Sequence, residues 1–159
     1  MSESKFKTMR HIETVRNYLD AMTRELMTRA EQHDQSKLAP PEVEIFEEYT
    51  PKLRDCTYGS DEYRSFLAGM KPALDHHNAA NRHHPEHFKN GVHGMNLIDL
   101  LEMLCDWKAA TMRHNDGDLR RSLNINAERF GYGSELYGIL LNTAEMLEGL
   151  AVEHHADQS

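Results

Sequence analysis

Between Phe6 and Ala30, apolar residues return every three or four positions, at Ile12, Val15, Leu19, Met22 and Leu26. That period belongs to one stripe of a long helix, not to a strand. It recurs over Leu97 to Arg113, where Leu97, Leu100, Leu101 and Leu104 form an apolar face. It recurs again after Ser134, where Leu136, Leu140, Thr143, Leu147 and Leu150 make a near-heptad seam, read as core or as a dimer interface. No segment shows the alternation of a half-buried strand. The expectation is an all-α fold of about six or seven helices, in one domain over residues 1–159.

The breaks between helices carry their own signals. Ala39-Pro40-Pro41 ends a short helix or turn at His33 to Leu38, and Pro41 can open the next helix, Glu42 to Tyr49. Thr57 to Asp61 and Asn115 to Asp118 read as loops, and Arg82 to Gly94 as irregular chain. Glu62 to Asn81 is predicted helical with an interruption near Pro72. Asn96 is placed to cap the Leu97 helix, with Asp99 in its first turn. On that helix Asp99, Glu102 and Asp106 form an acidic stripe beside the leucines. A short helix should end near Arg129, before Gly131-Tyr132-Gly133.

With 39% hydrophobic and 28% charged residues, the chain reads as globular. No apolar run approaches the roughly 20 residues of a membrane span. The N-terminus lacks the apolar stretch of a signal peptide. Two cysteines make no disulfide framework, so reduced thiols in a cytoplasm are expected. A net charge of −8 argues against duplex nucleic acid, whose binding is driven by counterion release to basic proteins.

Eleven histidines exceed what a core of this size needs, and their order is informative. His11 lies on the first helix beside Ile12, where it should border the core. His33-Asp34 follows, then a cluster running from His76-His77 through Asn81-Arg82-His83-His84 to His87, then Asp106. Imidazole nitrogen and carboxylate oxygen together suit a divalent first-row ion. His11, His33, Asp34 and Asp106 would supply one such ion. Two further pairs share i, i+7 spacing, His77 with His84 and His76 with His83. Spacing does not choose between them, and His77 and His84 stand as the expected ligands. An ion of this kind acidifies water and offsets phosphate charge. Lys37, four residues after His33, can hold a phosphate as a point charge.

The combination of His33-Asp34-Gln35-Ser36-Lys37, Asn81-Arg82-His83-His84 and Glu102-Met103-Leu104-Cys105-Asp106 resembles the HD-domain superfamily of metal-dependent phosphohydrolases. Within it, the pattern is similar to a small phage and bacterial family. The resemblance spans about Met9 to His114. It implies a helical HD-type domain holding one or two divalent ions (Mn, Fe, Co, Ni, Zn or Mg), with Asp34 between them. It further implies hydrolysis of a small phosphorylated substrate. A nucleotide is expected, most of all a deoxynucleoside or nucleoside monophosphate, because Lys37 and Arg82 are the obvious basic residues near the motifs. Asp34, Lys37 and Glu102 are the expected catalytic groups, and Lys37, Asn81 and Arg82 the expected substrate contacts. Triphosphate or cyclic-nucleotide hydrolysis, di-iron oxygenase chemistry and a noncatalytic nucleotide- or metal-binding phage factor are the alternatives. No membrane partner is expected, and a homodimer is possible.

Overall fold

The computed structural model describes residues 2–55, 60–112 and 117–156. They form six α-helices joined in part by 3-10 turns, and no strand occurs among the described residues. The fold is all-α, as the periodicity predicts.

Helix α1 spans Glu3–Gln32, with the Ser2 hydroxyl accepting from the Lys5 N–H at its start. Its apolar stripe is present, but none of its residues is buried. Its packing is chiefly on the fourth helix, through its C-terminal third. The expectation that this stripe faces the protein's own core is therefore wrong. His11 lies in the exposed part of the helix, not against the core.

Three features then reverse the chain. His33 ends α1, Asp34 takes a left-handed backbone conformation with φ 58°, and a 3-10 turn runs over Gln35–Leu38. Helix α2, Glu42–Asp55, follows and lies along α3, Asp61–Ala80. Both continue through a proline, Pro51 in α2 and Pro72 in α3. An interior proline costs a helix roughly 3 kcal/mol. Around Pro72, packing offsets that loss: Met70 and Ala73 are both buried. The expected interruption of α3 is absent, and α2 runs past Tyr49. The two helices approach closely where the Tyr49 ring covers Gly69; a Cβ there would sit 2.5 Å from the ring.

Two 3-10 turns, Pro85–His87 and Gly91–Gly94, lead to α4, Leu97–Thr111. A reciprocal cap starts α4: Asn96 Oδ1 accepts from the Asp99 N–H, and the Asp99 carboxylate accepts from the Asn96 N–H. Helix α5, Leu119–Phe130, is capped by Asp118 and closed by Gly131 at φ 68°, whose N–H reaches the Ala127 carbonyl. Helix α6 spans Ser134–Ala156.

The largest core joins α4, α5 and α6. Val92, Met103, Leu104, Leu119, Leu123, Tyr132, Leu140 and Ala144 are buried there, and the Tyr132 hydroxyl donates to the Leu123 carbonyl at 2.7 Å. Trp107 stacks on Phe130 at its margin. Two details differ from the sequence pattern. Leu97, expected on the apolar face, is exposed, and Asp99, expected on the acidic stripe, is fully buried. The predicted loop at Thr57 to Gly59 and the turn at Asn115-Asp116 lie outside the described residues. Asp61 already belongs to α3. No described helix is long and apolar enough to cross a membrane.

Candidate metal centre

Four elements converge where α1 ends: the His33-Asp34 turn, the end of α3, the segment after it and the middle of α4. Asp34 is central. Its Oδ1 lies 3.3 Å from His77 Nε2 and 3.5 Å from His83 Nε2. Its Oδ2 lies 3.7 Å from His33 Nε2, which is also 3.7 Å from Asp106 Oδ1. His84 completes the cluster, its ring centroid 4.2 Å from that of His83 and 4.8 Å from that of His77.

The imidazoles are oriented from behind by carboxylates. His77 Nδ1 donates to Glu42 Oε2 at 2.9 Å, and His33 Nδ1 to Glu102 Oε1 at 2.9 Å. His83 Nδ1 is 3.0 Å from the same Glu102 oxygen, off the line of a good hydrogen bond. An imidazole that donates through Nδ1–H keeps a lone pair at Nε2, the arrangement by which carboxylates hold metal-binding histidines. Asp34 Oδ1, His77 Nε2 and His84 Nε2 are buried without a hydrogen-bond partner. Unsatisfied buried polar atoms cost stability, so three at one place call for an explanation.

A divalent ion accounts for them. One donor atom from each of Asp34, His77, His83 and His84 lies within 4.8 Å of the others, and His33, Asp34 and Asp106 form a second such group. Ligands of one ion at about 2.0–2.2 Å stand up to roughly 4 Å apart, so both groups need only slight contraction. Asp34 belongs to both. Glu102 with His33 and His83 meets the same distance criterion. There, however, the rings present Nδ1, and His33 Nδ1 already donates to Glu102 Oε1 at 2.9 Å.

Electrostatics follow the geometry. Burial pushes the Asp34 carboxyl up, but His77 and Lys37 outweigh it and hold the group well below the usual carboxylate range. Burial likewise opposes ionisation of Glu102, while His83, His33 and Arg29 bring it down to about 2. Burial lowers His84 to about 3, helped by the neighbouring His83 and His77. A neutral His84 has a free lone pair across ordinary pH.

The expected site residues separate clearly. His33, Asp34, His77, His84 and Asp106 come together. Lys37 joins them, its ammonium 2.6 Å from Asp34 Oδ2. His11 does not: at 1.5 Å per residue, α1 holds it roughly 33 Å from His33. Glu102 borders the cluster, accepting from Arg29 Nε and His33 Nδ1. Asn81 donates to Ser36 Oγ at 2.8 Å and to the His77 carbonyl, tying α3 to the turn. Arg82 grips Asp99 with both Nε and Nη2 and lies over the Phe88 ring. Both residues thus also make contacts within the protein, and the Arg82 side chain stays partly exposed. Between the alternative pairs, His76 turns away to Glu42 Oε1, whereas His83 joins the cluster beside His84. The i, i+7 argument fails in its mechanism, since α3 stops at Ala80, but its residues still meet.

Sequence reasoning missed Glu42, buried behind His77, and Arg29, which binds Glu102 and Asp99 together. Neither carries a local signal. Ser36 stands inside the His-Asp-x-Ser-Lys motif and was the one legible clue to the Asn81 contact.

A family model described as a family of unknown function, DUF5662, matches residues 1–153. The chain belongs to that family. The match takes in α1 and every residue of the cluster. Neither a curated protein nor a solved structure matches the chain.

Proposed function

We propose that this chain is a metal-dependent phosphohydrolase acting on a small phosphorylated substrate, by preference a nucleoside monophosphate. One observation carries the reading. Imidazole nitrogens from three segments point at one carboxylate, and Glu42 and Glu102 hold two of those rings from behind.

The donor set is nitrogen and oxygen, which suits Mn, Fe, Co, Ni, Zn or Mg. An ion held by His33, Asp34 and Asp106, and a second by Asp34, His77, His83 and His84, would supply Lewis acidity and an activated water. The chain's own groups do the rest. Glu42 and Glu102 keep Nε2 of their histidines free for ligation. Lys37 places a positive charge beside Asp34, where a phosphate oxygen can meet it. His33, Asp34 and Asp106 form the partly exposed side of the cluster, so substrate approaches there. From that side a groove of about 530 Å³ runs between α1, α4 and α6, with Leu26, Ala30, Leu101, Ala109 and Leu147 among its walls. Its size falls in the range of small-molecule pockets and would receive the organic part of the substrate.

Metal analysis of purified protein, followed by phosphate-release assays over nucleoside mono- and triphosphates and cyclic nucleotides, tests the reading. The expected result is bound metal, lost in Asp34→Ala and His77→Ala, and release of phosphate from a monophosphate. Full metal content in both variants would overturn the site. Metal without phosphate release from any of these substrates would overturn the activity and leave a binding protein.

A further inference from the structure

Helix α1 is thirty residues long and buries none of them. Phe6, Met9, Ile12, Val15, Leu19 and Met22 form one stripe, each between 42% and 62% exposed. The excess shows at the scale of the whole chain. A folded monomer of 18.4 kDa should expose about 8,200 Å², yet this chain exposes 11562 Å². The difference, roughly 3,400 Å², exceeds the roughly 800 Å² that a standard interface removes from each partner. The projecting helix lies inside the residues that the family model matches.

We infer that this stripe is covered by the same stripe of a second copy, in an antiparallel pair of α1 helices about a two-fold axis near Asn17. The sequence is self-complementary in that register and direction. An axis near residue 17 sets Val15 against the partner's Leu19, Ile12 against the partner's Met22, and Met9 against the partner's Leu26. This is the reciprocal matching that a two-fold interface requires. A membrane surface fits less well, because a net charge of −8 opposes approach to anionic lipid.

The pairing has a structural corollary. Leu26 belongs both to the stripe and to the wall of the groove that begins at His33 and Asp106. The antiparallel register brings the partner's Met9 and the partner's Phe6 to the mouth of that groove. Each copy then roofs the other's apolar wall. The inference stands on the helix itself and holds whether or not the cluster hydrolyses phosphate.

Sedimentation equilibrium at micromolar concentration should give twice 18.4 kDa for the natural chain. The double variant Ile12→Glu, Leu19→Glu should give the single mass, with unchanged helical circular dichroism and unchanged metal content. Direction is read by cross-linking. Met9→Cys and Leu26→Cys are introduced together, with Cys56→Ser and Cys105→Ser. Within one helix these positions are roughly 25 Å apart and cannot join. Mild oxidation should give a cross-linked dimer whose mapped peptides join residue 9 to residue 26. A monomeric natural chain would overturn the proposal and assign the stripe to another partner. A dimer that survives Ile12→Glu, Leu19→Glu, or a link joining residue 9 to residue 9, would overturn it equally.

Discussion

Glu42 acts at one remove, by fixing which nitrogen of His77 faces Asp34. Its carboxylate is buried and accepts from both His76 and His77. Glu42→Gln keeps the size but removes the charge that favours Nδ1–H. Metal affinity should fall about 10- to 100-fold, as for other groups that orient a ligating histidine. Competition with a chelator measures it, and an unchanged dissociation constant would remove Glu42 from the site. Lys37 makes the opposite case. Lys37→Ala should leave metal content intact, because an ammonium is no ligand. A hydrogen bond to a charged group contributes roughly 1.5–3 kcal/mol, so kcat/KM should fall about 10- to 150-fold. Turnover at the natural rate would make Lys37 a partner of Asp34 and nothing more.

At the scale of elements, α4 carries most of the site's support. Its first turn is anchored by Asp99, which accepts from the Asn96 N–H, from Arg29 on α1 and from Arg82 after α3. Burial opposes ionisation of Asp99, but Arg82, Asn96 and Arg29 hold it below the usual carboxylate range. Asn96→Ala removes a cap alone and should cost about 1 kcal/mol. Asp99→Ala strands two guanidinium groups, one mostly buried, and should cost about 3–5 kcal/mol. Urea unfolding of the metal-free variants compares them. Equal losses would reduce Asp99 to a helix cap. The helix itself was legible in the sequence, because its leucine spacing and Asn96 cap are local signals. The burial of Asp99 was not, since it depends on arginines seventeen and seventy residues away. The same limit explains His11. Periodicity shows that a helix has a face to cover, but not which chain covers it. Pro72 misled in the reverse direction, because its cost is local while the packing that offsets it is not.

For the whole molecule, acid should be the sensitive direction. His84 in the folded chain is held down to about 3 by burial and by its imidazole neighbours. An unfolded histidine takes up its proton near pH 6.5. The unfolded state therefore binds more protons below that pH, and stability falls as pH drops from about 6.5 toward 3. Glu102, at about 2, adds a second loss with the same sign as pH falls below about 4.5, complete once pH passes 2. Metal-free protein should show a urea midpoint that drops in both windows. His84→Leu should abolish the upper one. A midpoint that stays flat from pH 7 to pH 4 would show that His84 is not held neutral. At this scale the sequence conveyed the helical class and the meeting of His33, Asp34, His77, His84 and Asp106. It could not convey Glu42, because only the folded chain brings residue 42 against residue 77.

Asp34 also sets a tension between persistence and use. Its backbone occupies a left-handed conformation that costs most side chains about 1–2 kcal/mol and glycine almost nothing. Chain stability alone would favour glycine at position 34, and Asp34→Gly without metal should be more stable than Asp34→Ala. Aspartate and asparagine are the other residues that tolerate this conformation, and of these three only aspartate brings a carboxylate to both groups of donors. Drift at this one position could thus silence the cluster and leave a well-folded helical protein. Within the family, aspartate at the equivalent position would mark the members in which the cluster is still under selection.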